Sequence, residues 1–430
     1  MNSRFWKSVF VITVVAAFAN SLLAQPSYKV VTLAGAGGTA GQANSINNRG
    51  WVSGANNQAG DATSVATLWL NGLEVPLGTL GGSNSAVAWP VKNNAGLLVG
   101  ISDTAADNPL GEAFSCWPFY ASGAPTRKTC NGFRWMNGVM TPLPPFPGGY
   151  NSYATAANSR GQIVGWAENG VHDATCDPAF QVLQFRAVIW RPDGKMQELP
   201  PLPGTDDTTS AATAINDKGQ VVGISGICDV AVGRFSARHA VLWENGVAMD
   251  LGSLGGVAWN TPTAINNQGV VVGFSDLPGD ADGTPNYQAF IWTQATGIQK
   301  LPLPPGETRA AAFGINDRNE AVGLSRAPGR PYHATLWQSG GVTDLNSVTL
   351  PGSPYLIYAN DINDSGVLAG EAFDASTGNA PAFEAFPTAI SNAATSSARV
   401  QDARPQTLPE KVRQQLRQRW GFALDDLSQE

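Results

Sequence analysis

The reactive side chains of this 430-residue sequence are few: three histidines, four cysteines and several loop acids. A hydrolase or lyase needs paired acids, or a nucleophile and a base, brought together at one place. His239 and His333 each precede an alanine and a short run ending in Trp, so they occupy one column of a repeated pattern, and His172 stands alone. Asp103, Asp107, Asp173, Asp177 and Asp229 fall in long insertions of the chain; a carboxylate-based glycosidase is open on that count, though no two of them are singled out. Asp276, Asp280 and Asp282 with Gly283 faintly resemble a calcium loop, but the distal Glu is missing, and a solvated acidic loop is the plainer reading. No motif calls for a cofactor or a metal.

These residues need a scaffold, and composition restricts what it is. The 48 Gly and 29 Pro, with only 14% charged residues and 43% hydrophobic ones, point to an all-β chain with many turns and a large core. Residues 1–24 read as an export signal: Arg4 and Lys7 precede an apolar run from Val9 to Phe18, with small residues at Ala19 and Ala24 as cleavage points. Asn20 and Ser21 cut the run short of a membrane span, and no second apolar span follows. The body after the signal carries a net charge of about −10, which argues against nucleic acid.

Self-similarity supplies the architecture. A hairpin signature, Ile215-Asn216-Asp217-Lys218-Gly219 running to Gly223, recurs seven times, its closing glycines at 54, 100, 165, 223, 273, 323 and 370. Asn and Asp at these turns are read as shaping the turn, because a residue type present at every copy serves the copy. A second signature ends in Trp69, Trp135, Trp190, Trp243, Trp292 and Trp337, followed by turns such as Asn71-Gly72 and Asn245-Gly246 and by a fourth strand. Four strands in about fifty residues is one propeller blade.

The seventh hairpin lacks its fourth strand, while Tyr28 to Leu33 is a fourth strand without a blade. Pairing Tyr28–Leu33 with the Ala382 region closes the ring and leaves no open edge. The expectation is therefore a seven-bladed β-propeller over residues 25–387 with four-stranded blades. In that order the loops from second to third strand and those between blades share one face, and the Asn-Asp-Gly turns occupy the other.

The two signatures together resemble the HAF family of bacterial extracellular repeat proteins, named for a His-Ala-Phe motif before Leu-Trp. Here His239-Ala240-Val241 and His333-Ala334-Thr335 keep the His, Gln288-Ala289-Phe290 keeps the Phe, and Arg186-Ala187-Val188 keeps neither. The likeness runs from Tyr28 to about Phe386. It implies a secreted repeat protein and brings no catalytic residue.

The longest insertions, 101–132, 166–185, 224–238 and 274–287, all lie on the variable-loop face, where propellers place binding sites. Cys116, Cys130, Cys176 and Cys228 fall within them and imply two disulfides in an exported chain. Three pairings exist; Cys116 with Cys130 and Cys176 with Cys228 matches proximity in the ring. A zinc site would need a Cys-x-x-Cys spacing that is absent.

Residues 388–406 read as a linker and 407–430 as an amphipathic helix and tail, with Thr407 and Glu410 as capping box and Val412, Leu416 and Trp420 on one face opposite Lys411, Arg413 and Arg417. Docking on the propeller's own acidic surface is favoured over a separate partner. Altogether the sequence reads as an extracellular or periplasmic, non-enzymatic binding or scaffold module, its ligand a protein, peptide or glycan on the variable-loop face. A carbohydrate-active enzyme and a calcium-dependent adhesion protein are the alternatives.

Overall fold

A computed structural model describes residues 27–114, 116–121, 123–229, 233–279, 286–388, 408 and 412–413. The expected export signal, Asp280, Asp282 and Gly283, the linker 389–406 and most of the C-terminal helix lie outside them.

Seven four-stranded antiparallel sheets make up the chain, each a blade in sequence order. The first contains Gly37–Ile46, Val52–Gln58, Ser64–Leu70 and Leu73–Gly78, and the sixth contains Arg309–Ile315, Ala321–Arg326, His333–Gln338 and Gly341–Asp344. The seventh takes Tyr355–Ile362, Leu368–Phe373 and Ala382–Thr388 from the C-terminal end and Ser27–Thr32 from the N-terminal end. Ser27 pairs with Thr388 and Thr32 with Phe383, so the ring is closed by a strand from the opposite end of the chain, as its strand count requires.

The repeated residues each have a packing reason. A Cβ at Gly223 would lie 2.0 Å from the Ala211 carbonyl, and one at Gly323 would lie 1.9 Å from that of Ala311, so the second strand meets the inner strand too closely for a side chain. The Trp column latches blades together. Trp69, Trp190, Trp243 and Trp337 each donate an indole N–H, at 2.8 to 2.9 Å, to a carbonyl of the segment entering their blade: Ala34, Pro144, Pro200 and Pro302 respectively. Asn71 and Asn245 take φ of 51° and 53° ahead of Gly72 and Gly246, the left-handed pair of a tight hairpin turn.

The hairpin asparagines form a closed ring. Asn47 donates its side-chain amide to the Asn93 carbonyl, Asn93 to Asn158, Asn158 to Asn216, Asn216 to Asn266, Asn266 to Asn316, Asn316 to Asn363, and Asn363 back to Asn47. Each side-chain oxygen meanwhile accepts two N–H groups of its own turn, as Asn216 does from Lys218 and Gln220. One residue type thus caps its turn and joins two blades. Among the described residues no helix is long and apolar enough to cross a membrane.

Candidate functional site

The two faces of the ring differ in kind. The turn face is locked by the asparagine ring and by a link from blade two to blade seven, where Lys92 reaches the buried carboxylate of Asp361 and, at 2.7 Å, the Ile362 carbonyl. Burial raises the Asp361 carboxyl and Lys92 opposes that shift. Lys92 stands where the other blades have Ile46, Ala157, Ile215, Ile265, Ile315 and Ile362, so the one charged member of this column is the one that reaches past its neighbouring blade to blade seven.

The variable-loop face is roofed on one side by interlocked insertions. Both Cys pairings stand as expected: Cys116–Cys130 closes a loop within blade two, and Cys176–Cys228 ties blade three to blade four. Around the second bond, Asp177 N–H donates to the Asp229 carbonyl and Asp229 N–H to that of Thr175. The blade-two insertion joins the blade-three one through Ala113 N–H to the Phe180 carbonyl at 2.8 Å. Beneath lies an apolar cluster that includes Phe114, Tyr120, Tyr153, Trp166, Phe185 and Ile224. The insertions are also less loop-like than expected, since strands run out to Asp107 and His172 before the chain turns.

Two buried carboxylates meet under this roof, and neither was among the acids singled out from sequence. Glu112 accepts the N–H groups of Val182 and Leu183 at 2.9 and 2.8 Å. Glu168 accepts those of Tyr150 and Asn151, and the Asn151 side chain donates to both carboxylates. Burial, then the charge of Glu112, pushes the Glu168 carboxyl up to about 8 against these donors. Glu112 takes its backbone donors from the blade-three insertion and Glu168 takes its own from the segment entering blade three, which makes them fasteners of the roof. A signal for them existed only as two acids in adjacent insertions.

Of the acids expected on this face, Asp177 and Asp229 adjoin through their backbones while their side chains accept the N–H groups of Ala179 and Phe235, and the others disperse. Asp103 is buried, held by Asn84 and Thr126; Asp107 pairs with Lys128 at 2.6 Å; Asp173 caps its own turn through Thr175. Asp276 is fully buried in the second strand of blade five. Among the described residues no group of three His, Cys, Asp or Glu is placed to hold a metal ion.

Two histidines sit in sets whose composition matches a serine hydrolase. In blade six, His333 Nε2 lies 3.5 Å from Ser325 Oγ, and Nδ1 lies 3.2 Å from Asp344 Oδ1. Glu307 also bonds His333 Nε2, and Ser325 and His333 are 0% and 1% exposed, so no substrate reaches the hydroxyl. Blade four repeats the set with Asp207, which bonds Ser225 at 2.6 Å and His239 at 2.8 Å. The hydrogen bond that His239 makes to the Asp207 carboxylate raises the His239 pKa. In blade four Asp207 of the incoming segment fastens the second and third strands, and in blade six Glu307 of the incoming segment fastens the third. His172 is exposed, apart from both sets.

The other side of the same face, over blades five to seven, carries an apolar cluster of Phe274, Tyr287, Phe313, Tyr332, Tyr355, Ile357, Tyr358 and Phe373. Leu408 and Val412 belong to it, 5% and 3% exposed. The C-terminal segment therefore contacts the propeller on its variable-loop face.

No family model matches the chain, and no curated protein does. Solved structures match at low identity. The β-propeller domain of the Trilobed protease from Pyrococcus furiosus shows 6% identity and a TM-score of 0.45 over 78% of this chain and 92% of that one. The Pyrococcus horikoshii acylaminoacyl peptidase shows 8% and 0.42 over 78% and 49%. TolB from Acinetobacter baumannii shows 12% and 0.37 over 76% of each. This chain spans about half the length of the acylaminoacyl peptidase. The likenesses are distant in both sequence and shape, and the fold assignment rests on the sheets themselves.

Proposed function

We propose that this chain is an exported, non-enzymatic β-propeller module of the HAF-like kind that binds a peptide, protein or glycan on its variable-loop face, in the extracellular space or periplasm. The observation that carries the reading is the asymmetry of the faces. One is consumed by a repeated hydrogen-bond ring, and the other gathers every long insertion and both disulfides. Disulfides persist in oxidising compartments, which supports export. The serines of both Ser-His-acid sets, Ser225 and Ser325, are buried, and the Glu112–Glu168 pair is enclosed, which favours binding over turnover. Leu110, Val171 and Val257 stand on the same face at 38%, 51% and 54% exposure, apolar surface of the sort that binding sites use.

The test presents the full chain to immobilised glycan and peptide panels and follows any bound ligand for cleavage. Saturable binding without turnover, weakened by Leu110→Asp with Val171→Asp in a protein that melts normally, is the expected result. Hydrolysis of a bound glycan would replace this reading with the carbohydrate-active one, and no binding across both panels would refute it.

A further inference from the structure

The blade-two insertion leans across both seams of its blade. Forward, it meets the blade-three insertion through Ala113; backward, Ala121 N–H donates to Ser64 Oγ of blade one at 3.2 Å. Blade one has only a short connection of its own there, from Gln58 to Ser64. The backward lean leaves a shallow pocket between the two blades, whose lining includes Gln42, Asn57 and Ser64 of blade one and Pro118, Phe119 and Tyr120 of the insertion.

We infer that this pocket is a sugar subsite, taking one neutral pyranose ring of a glycan. The inference deepens the proposed function by choosing the glycan among its ligand classes, and it rests on that reading. Three features support it.

Gln42 departs from its column. Four residues back from the column of Lys92, the other blades have Ala88, Tyr153, Ala211, Thr261, Ala311 and Tyr358, all buried. Gln42 is half-buried, and among the described residues its carboxamide has no hydrogen-bond partner. The repeat thus gives no packing reason for an amide at this place.

The polar groups beside it are partly committed, and what they keep is complementary. Asn57 gives its amide to Asp61 at 3.0 Å and keeps an oxygen that accepts. Ser64 accepts through its oxygen and keeps a proton to donate. With the Gln42 carboxamide, donors and acceptors stand side by side, as neighbouring sugar hydroxyls require, each of which both gives and takes a hydrogen bond. An extended peptide would need a row of such groups, and the lining supplies one cluster.

The rest of the surface suits a ring without charge. Phe119 is half-buried and fixed against Tyr153, the two rings 5.8 Å apart and at 68°; with Pro118 it forms an apolar wall for the C–H face of a pyranose. None of the described residues lining the pocket is charged. Asp61, behind Asn57, has its carboxylate taken up by Thr39 as well. An acidic sugar finds no cation here and meets an acidic body. A shallow site for one ring binds weakly, with a dissociation constant on the order of millimolar.

The experiment records saturation-transfer difference NMR of the methyl glycosides of glucose, galactose, mannose, fucose and N-acetylglucosamine on the full chain, with glucuronate and N-acetyl-triglycine amide as acidic and peptide probes. At least one glycoside should bind saturably and glucuronate should not. Gln42→Ala should weaken that binding by about fivefold or more, with an unchanged melting temperature, since blades two, four and six have Ala at this place. Gln42→Glu keeps the shape and loses the donors; it should weaken binding too, and it decides the matter if the alanine variant fails to fold. Glycoside binding equal in wild type and both variants, tighter binding of glucuronate or the peptide than of any glycoside, or no glycoside signal at all would overturn the inference. A hit in the glycan panel that Gln42→Ala leaves intact sinks this subsite alone; silence in both panels sinks the binding reading beneath it.

Discussion

Replacing Asn216 by Ala tests the ring that joins the blades. Asn216 is 3% exposed. Its amide donates to the Asn266 carbonyl at 3.0 Å and to Gln220 Oε1 at 2.8 Å. Its oxygen accepts Lys218 N–H at 3.1 Å and Gln220 N–H at 3.0 Å. In the alanine variant the buried Asn266 carbonyl keeps the Gly269 N–H of its own turn but loses the bond to the next blade, about 0.5–1.5 kcal/mol, while the two turn N–H groups, nearer water, lose about 0.5–1 kcal/mol each. The expected destabilisation is therefore roughly 1.5–3.5 kcal/mol, read from urea unfolding followed by Trp fluorescence. Asn216→Asp separates the two roles of the side chain. It keeps the acceptor but turns a second oxygen toward the Asn266 carbonyl, so at pH 7 it should be no more stable than Asn216→Ala. Near pH 4 a protonated carboxyl can donate, and the aspartate variant should recover. An alanine variant within about 0.5 kcal/mol of wild type, or an aspartate variant as stable as wild type at pH 7, would refute the ring as a source of stability.

Deleting residues 25–35 removes the strand that completes blade seven, and the cooperative thermal transition should be lost; an unchanged melting temperature would argue that closure contributes nothing. Replacing Cys176 and Cys228 together by Ala opens a link spanning 52 residues, worth up to about 4 kcal/mol on loop entropy. A calorimetric melt should show that loss, and a melt unaffected by the double substitution would place the roof's stability in its hydrogen bonds. Burial pushes the Glu384 carboxyl up from 4.5 to about 7. A group whose folded pKa is raised contributes its stability below the unfolded value and loses it as pH rises through the folded one. Wild-type stability should thus decline between about pH 5 and 8 more steeply than that of Glu384→Gln, and identical pH profiles would contradict the assignment.

What the sequence made legible is what it repeats. Seven variants of Ile-Asn-Asx-x-Gly, four of them matching at every position, the Trp column and the orphan strand at Tyr28 led to blade number, strand order and closure, since each copy constrains the same geometry. The cysteine pairing followed from the ring once loops were placed on it. Features that occur once were not legible. Glu112 and Glu168 are 56 positions apart and meet only because two insertions fold across each other, a contact with no periodic trace. Lys92 and Asp361 are separated by 269 positions, although each is visible afterwards as the charged exception in a column of aliphatic or small residues. The asparagines were legible as turn formers, because their bonds to the second and fourth residues onward are local. Their bond to the next blade spans a whole repeat, and a single chain does not display it.

The Ser-His-acid sets show how the repeat separates structure from function. Ser325, His333, Glu307 and Asp344 would pass for catalytic machinery on distances alone. Blade four builds a closely related set from Ser225, His239 and Asp207, and in both the acid arrives from the segment entering the blade. A catalytic site needs one exposed nucleophile; a fastener is needed wherever a segment must be pinned to its blade, and it gains from exclusion of water, because a hydrogen bond strengthens in a low dielectric. Recurrence, together with the burial of both serines, therefore assigns these residues to pinning the incoming segment onto its blade. By the same reasoning the proposed binding surface lies where the pattern breaks, at the stapled insertions over blades two to four.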